Sequence, residues 1–205
     1  MEINKRIAVN KRLGMDLRLL GLDQQVVREV LSRLGFEITA VDITSVAKGC
    51  IGKAYRRGAL QRDAPSTFDC SSLTKFCYAQ LGIWLPRYSI QQYRSGEVVQ
   101  GELKPGDLVF AKGWRGYWDE QLPDGIGHVA LYIGKGVVVE AANFKVGVVE
   151  RLVAKFTQSA NYRGAVRIVP NLNSIVTIGI PDRWEDAETI EDIKWIVLSN
   201  LPTNK

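Results

Sequence analysis

The chain has 205 residues, 46% of them hydrophobic and 24% charged, so it is of ordinary globular composition and long enough to bury a core without cross-links. The formal charge of +5 is modest, and no dense Lys/Arg tract with interleaved aromatics occurs, which excludes the usual nucleic-acid-binding pattern. Apolar runs such as Gly136-Val137-Val138-Val139 are too short for a transmembrane segment, and no apolar block of signal-peptide length follows Lys5-Arg6. The expected setting is cytoplasmic, or outside the cell by a non-Sec route.

In chain order, Asp23 to Leu34 reads as a helix. Asp23 is placed to cap it, Val27, Val30, Leu31 and Leu34 recur at helical spacing, and Gly35 ends it. Residues 1–42 are read as an N-terminal helical extension packed on a core domain, with a partner-binding segment as the alternative. Ile43 to Tyr55 predicts a second helix, with Thr44 or Ser45 near its start. A breaker-rich loop, Arg57 to Thr67, precedes a helix from about Cys70 to Leu81, closed by Gly82. Ser89 to Tyr93 is a short helix. Lys104-Pro105-Gly106-Asp107 is a turn braced by Asp107, and Leu108-Val109-Phe110 is a buried strand. Ala111 to Gly127 reads as a long loop carrying Trp114, Tyr117 and Trp118. His128 to Ile133 and Val137 to Ala141 form a hairpin, with further strands at Val148–Val153 and Ala165–Val169. Glu185 to Ser199 is helical, with Ile190, Ile193 and Val197 inward, which makes 171–205 a C-terminal helical extension. Residues 43–170, helices first and then an antiparallel meander, predict an α+β domain and not alternating βαβ units.

The three cysteines, Cys50, Cys70 and Cys77, match no CxxC spacing, and the chain has one histidine, so neither a metal site nor a cofactor is expected. Cys50 and Cys77 read as small buried hydrophobes. Cys70 differs because it stands where a helix begins. Unpaired N–H groups and the helix dipole there favour a thiolate, and the same N–H groups suit an oxyanion. His128, at the edge of a strand, is the single imidazole that can serve as its base.

An imidazole base needs an orienting partner. If the hairpin turns through a three-residue loop at Ile133–Lys135, His128 lies beside Glu140. A two-residue Lys135-Gly136 loop brings Asn143 alongside instead. A Gly134–Gly136 loop brings Ala142, which orients nothing. Glu140 is a charged residue inside an apolar strand and needs a partner if buried.

The stretch Phe68-Asp69-Cys70-Ser71-Ser72-Leu73 resembles the FDCSGL signature of NlpC/P60 peptidases. In the family's order follow Leu85-Pro86-Arg87, Gln91 or Gln92, Pro105-Gly106-Asp107-Leu108-Val109-Phe110, and Gly127-His128-Val129-Ala130-Leu131-Tyr132-Ile133-Gly134. Ala54-Tyr55-Arg56-Arg57-Gly58 is similar to the family's PYxWGG segment. The resemblance implies a papain-like core with N-terminal helices packed against an antiparallel β-sheet. It implies a cysteine endopeptidase that cleaves peptidoglycan stem peptides, often at the γ-D-glutamyl–diamino acid bond. Cys70 becomes the nucleophile, His128 the base and Glu140 the third member. Tyr55 falls on the family tyrosine, near the thiolate and the substrate carbonyl.

Four positions depart from the family pattern. Ser72 stands for the usual Gly, narrowing the space beside the nucleophile. Arg57 stands for Trp and Ala59 for the second Gly. Glu140 stands for the commoner His, Asn or Gln, as in the related CHAP amidases. The candidate substrate-binding residues are Tyr55, Asp69, Ser71, Arg87 and Trp114, although Asp69 equally suits a helix cap. Peptidoglycan-derived peptides are the expected partners. Two other readings stay open: acyl transfer or transamidation by the same thiol, and a non-catalytic binding relative.

Overall fold

The computed structural model describes residues 9–113, 117–119 and 122–202. Strand β1 (Arg12–Met15) leads through a 3-10 turn at Leu17–Leu20 into helix α1 (Gln24–Arg33). Asp23 caps α1 by accepting from the N–H groups of Gln25 and Val26. Strand β2 (Glu37–Thr39) follows.

Helix α2 (Ile43–Lys48) is shorter than the sequence predicts. Asp42, and not Thr44 or Ser45, is its cap. The chain then turns through Gly49 and Gly52, and Gly52 N–H donates to Val148 O at 2.9 Å. Residues expected to continue the helix instead form strand β3 (Ala54–Tyr55), paired in parallel with β4 (Thr67–Phe68). Two glycines in four residues weaken the helix there, and the ladder offers its backbone other partners.

Helices α3 (Cys70–Gln80) and α4 (Ser89–Tyr93) come next, then β5 (Glu97–Val98) and β6 (Leu108–Ala111). The stretch read as a loop holds a two-stranded ladder, β7 (Tyr117–Asp119) with β8 (Leu122–Ile126). Strands β9 (His128–Gly134), β10 (Val137–Asn143) and β11 (Gly147–Leu152) form the meander. Helix α5 (Ala154–Thr157), β12 (Tyr162–Arg167), β13 (Val176–Gly179) and α6 (Ile190–Ser199) complete the order.

The chain divides into two compact units. Among the described residues, one comprises those up to Val41, Tyr78–Trp84 and those from Asn171 on. Its antiparallel sheet runs β1-β13-β2. Leu13, Met15, Val27, Leu31, Ile178, Ile193 and Val197 share its core. Each such side chain contributes about 1.5–3 kcal/mol when fully buried. Gly82, at φ +73°, lets the chain pass against β1, since a Cβ there would meet Gly14 N at 2.5 Å.

The other unit comprises Asp42–Cys77 and Leu85–Pro170. Its six-stranded sheet runs β11-β10-β9-β6-β12-β5. Helix α2 lies against β9 and α4 against β6, so helices early in the unit cover an antiparallel sheet formed later. This is the α+β arrangement that the order of elements predicts. Among the described residues no helix is long and apolar enough to cross a membrane.

Candidate functional site

Asp69 sets the start of α3. Its N–H donates to Ser72 Oγ at 2.8 Å, while Ser72 N–H donates to Asp69 Oδ1 at 2.9 Å. This reciprocal pair is a capping box, and it fixes Cys70 at the first helical position. The Ser72 hydroxyl is thereby turned back to the cap, where it also donates to Asp69 O at 3.2 Å. Cys70 is a free, half-buried thiol whose Sγ lies 3.9 Å from Gly127 O. Cys50 and Cys77 are free and buried.

His128 opens β9, opposite Ala111 of β6. In the β9–β10 ladder Val138 faces Tyr132 and Val139 faces Leu131. Continued along the strands, that register sets Ala142 opposite His128 and Glu140 opposite Ala130. It is the register from which no orienting partner was expected. Even so, His128 Nε2 and Glu140 Oε2 are hydrogen-bonded. Glu140 lies on the same face of the sheet, diagonal to His128, and a long side chain spans a diagonal of roughly 7–8 Å between strands. Asn143 lies at the turn instead, where its Oδ1 accepts from Lys145 N–H at 2.9 Å.

With Nε2 engaged, Nδ1 is the nitrogen that remains for the thiol. Burial opposes an imidazolium, yet hydrogen bonds and charge from Cys70 and Glu140 outweigh it and raise His128 to about 10. Burial likewise opposes ionisation of Glu140, but His128 and Arg151 hold it below the ordinary carboxylate range. Phe156 of α5 stacks on the imidazole, with ring centroids 5.8 Å apart and planes 15° from parallel. Arg151 of β11 forms an ion pair with Glu140 Oε1. The sequence reading missed both residues. A basic residue two strands from His128, on the same alternating face, was the available signal for Arg151.

The expected substrate contacts divide. Burial, followed by the charges of a Cys70 thiolate and Asp69, pushes the Tyr55 phenol up, which puts Tyr55 within electrostatic reach of the nucleophile. Asp69, Ser71 and Arg87 spend their polar groups on one another. Arg87 Nη1 donates to Ser71 Oγ at 2.9 Å and to Asp69 Oδ1 at 3.2 Å, and Nη2 donates to Ala59 O at 2.8 Å and to Asp69 Oδ2. Gly58 N–H donates to Asp69 Oδ2 at 3.0 Å. Trp114 lies outside the described residues. Of the two glutamines left open, Gln92 is the buried one, donating to Ser71 O at 2.9 Å and to Pro86 O at 3.0 Å. Gln91 caps its own helix by accepting from Tyr88 N–H. Among the described residues no cluster of three or more His, Cys, Asp or Glu is placed to hold a metal ion.

A family model described as the NlpC/P60 family matches residues 52–167. The probable endopeptidase p60 of Listeria seeligeri is 41% identical over 100 residues, covering 48% of this chain and 17% of the relative. The peptidoglycan endopeptidase RipB of Mycobacterium tuberculosis is 40% identical over 76 residues, 37% of this chain and 27% of the relative. The matched stretch spans well under a third of either curated relative. Among solved structures, an NlpC/P60 family protein from Bacillus cereus shares 29% identity, covering 64% of this chain and 41% of its own, with a TM-score of 0.54.

Proposed function

The chain belongs to the NlpC/P60 family, and from that premise we propose that it is a cysteine endopeptidase acting on peptidoglycan stem peptides, at the bond between γ-D-glutamyl and a diamino acid. The catalytic part is residues 43–170, which contain the matched stretch 52–167.

Cys70 Sγ attacks the scissile carbonyl and His128 takes the thiol proton. The C–N bond then breaks and the imidazolium returns the proton to the leaving amine. Water, deprotonated by His128, releases the acyl group from sulfur and restores the thiol. Backbone N–H groups at the start of α3 receive the oxyanion, and Glu140 keeps the imidazole in its working tautomer. Tyr55 sits beside the reacting carbonyl, while Asp69, Ser71 and Arg87 form the wall behind it.

The observation that carries this reading is the hydrogen bond from His128 to a buried carboxylate, beside a thiol at a helix start. Support also comes from relatives named as endopeptidases, one of them a peptidoglycan endopeptidase. The test is product analysis on defined muropeptides. Wild type should release a free γ-D-glutamyl carboxylate, and Cys70→Ala should lose at least about a thousandfold in rate. Undiminished cleavage by Cys70→Ala overturns the proposal. An amide adduct formed in added amine, in place of the free acid, replaces hydrolysis with transfer.

A further inference from the structure

We infer that Arg151 is a positioning residue for the Cys70–His128 pair, acting through Glu140. The inference rests on the cysteine-hydrolase reading above.

Its basis is the division of one carboxylate between two partners. Glu140 is 4% exposed. Its Oε2 meets His128 Nε2 and its Oε1 meets Arg151 Nε. The terminal torsion of a glutamate is soft and broad, so a carboxylate held at one oxygen swings away from the ring. A second contact on the other oxygen removes that freedom. The β10–β11 ladder supplies the contact by register: Glu140 faces Val149 and Val138 faces Arg151. Arg151 therefore shares the face of Glu140 and lies on its diagonal, on the side away from β9.

Charge points the same way. A buried carboxylate needs compensation, and an imidazole supplies it only while protonated. When His128 gives up its proton during turnover, Arg151 is the positive neighbour that Glu140 keeps among the described residues. A guanidinium stays charged throughout. The Arg151 side chain is 41% exposed, so it keeps much of its hydration while the carboxylate keeps its partner. The groups around Glu140 are His128 on β9 and Arg151 on β11. Cys70 on α3 lies across the imidazole, and Tyr55 on β3 is within reach of the Cys70 charge.

The test needs no peptide substrate. The rate of Cys70 alkylation by iodoacetamide is measured against pH on the full chain, with the labelled residue identified by mass spectrometry. Variants are His128→Ala, Arg151→Gln, Arg151→Met and Arg151→Lys, with folding followed by circular dichroism. Wild type should react much faster than His128→Ala. In the charge-free Arg151 variants the acidic limb should move up by about one pH unit, giving roughly tenfold slower labelling near pH 5. Arg151→Lys should recover most of that loss. A folded Arg151→Gln or Arg151→Met that overlays wild type overturns the inference. So does an equal slowing at every pH that Lys does not repair, which marks a purely structural role. If wild type reacts no faster than His128→Ala, the hydrolase reading itself falls and takes the inference with it.

Discussion

Two buried carboxylates in the same unit are each paired with an arginine, and they do opposite things. Both oxygens of Asp69 are taken by permanent donors: the N–H groups of Gly58 and Ser72 and the guanidinium of Arg87. None of these donors has to change protonation, so Asp69 behaves as a brace that sets the start of α3 and holds Arg87. Glu140 gives one oxygen to Arg151 and the other to His128. Its second partner is a group that can gain or lose a proton. The difference between brace and site therefore lies in the partner and not in the carboxylate or its burial.

The contrast is sharpest at Glu140. Glu140→Gln keeps the shape and a hydrogen-bond acceptor but removes the charge. On muropeptides it should lower kcat by about 10–100-fold with KM little changed. Full activity in this variant would remove Glu140 from the mechanism.

Asp69 should fail in stability before it fails in chemistry. Asp69→Ala loses the cap and strands Arg87, which is 27% exposed, so urea unfolding should register a loss of about 3 kcal/mol. Asp69→Asn keeps a capping oxygen and should lose about half as much. A loss under about 1 kcal/mol for the alanine variant contradicts the role of brace.

The His128–Glu140 pair should also leave a mark on the pH dependence of stability. The raised value of His128 means that its contribution is complete below 6.5 and fades as pH climbs toward about 10. The lowered value of Glu140 means that its contribution is complete above 4.5 and fades as pH falls through its depressed folded value. Wild-type Tm should therefore be level in between and decline on both sides. His128→Gln should flatten the alkaline decline. An unchanged alkaline limb in that variant would assign the decline to other groups.

The smallest effect belongs to Ser72. Ser72→Ala removes one half of the capping box and should cost about 1 kcal/mol, with kcat unchanged. A fall in kcat would support the expectation that Ser72 narrows the space beside the nucleophile.

Much of the fold was legible because it rests on short-range rules. The starts of α1 and α3 follow from Asp23 and from the Asp69–Cys70 boundary, and the β9–β10 hairpin from two apolar runs around Gly134 and Gly136. Ser89–Tyr93 was read to the residue. The failures are long-range. Lys53 to Tyr55 left the helical pattern because β4 and β11 took their backbone groups. β1, β2 and β13 were not anticipated, since strands of three or four residues show little alternation and exist through one another.

The site divides in the same way. From sequence alone Cys70 and His128 were candidates, one at a helix start and the other the chain's single imidazole, and the structure brings the two together. Which residue stands beside His128 could not be named, because one residue of register changes the answer. The tertiary structure took the register whose continuation sets Ala142 opposite His128, yet brought Glu140 to the ring along the diagonal. It alone joined Arg151, Phe156 and Gln92 to the site, from separate elements. Capping and periodicity act within a few residues and are written locally. Register, side-chain reach and charge compensation depend on which strands lie side by side, and only the assembled sheet decides that.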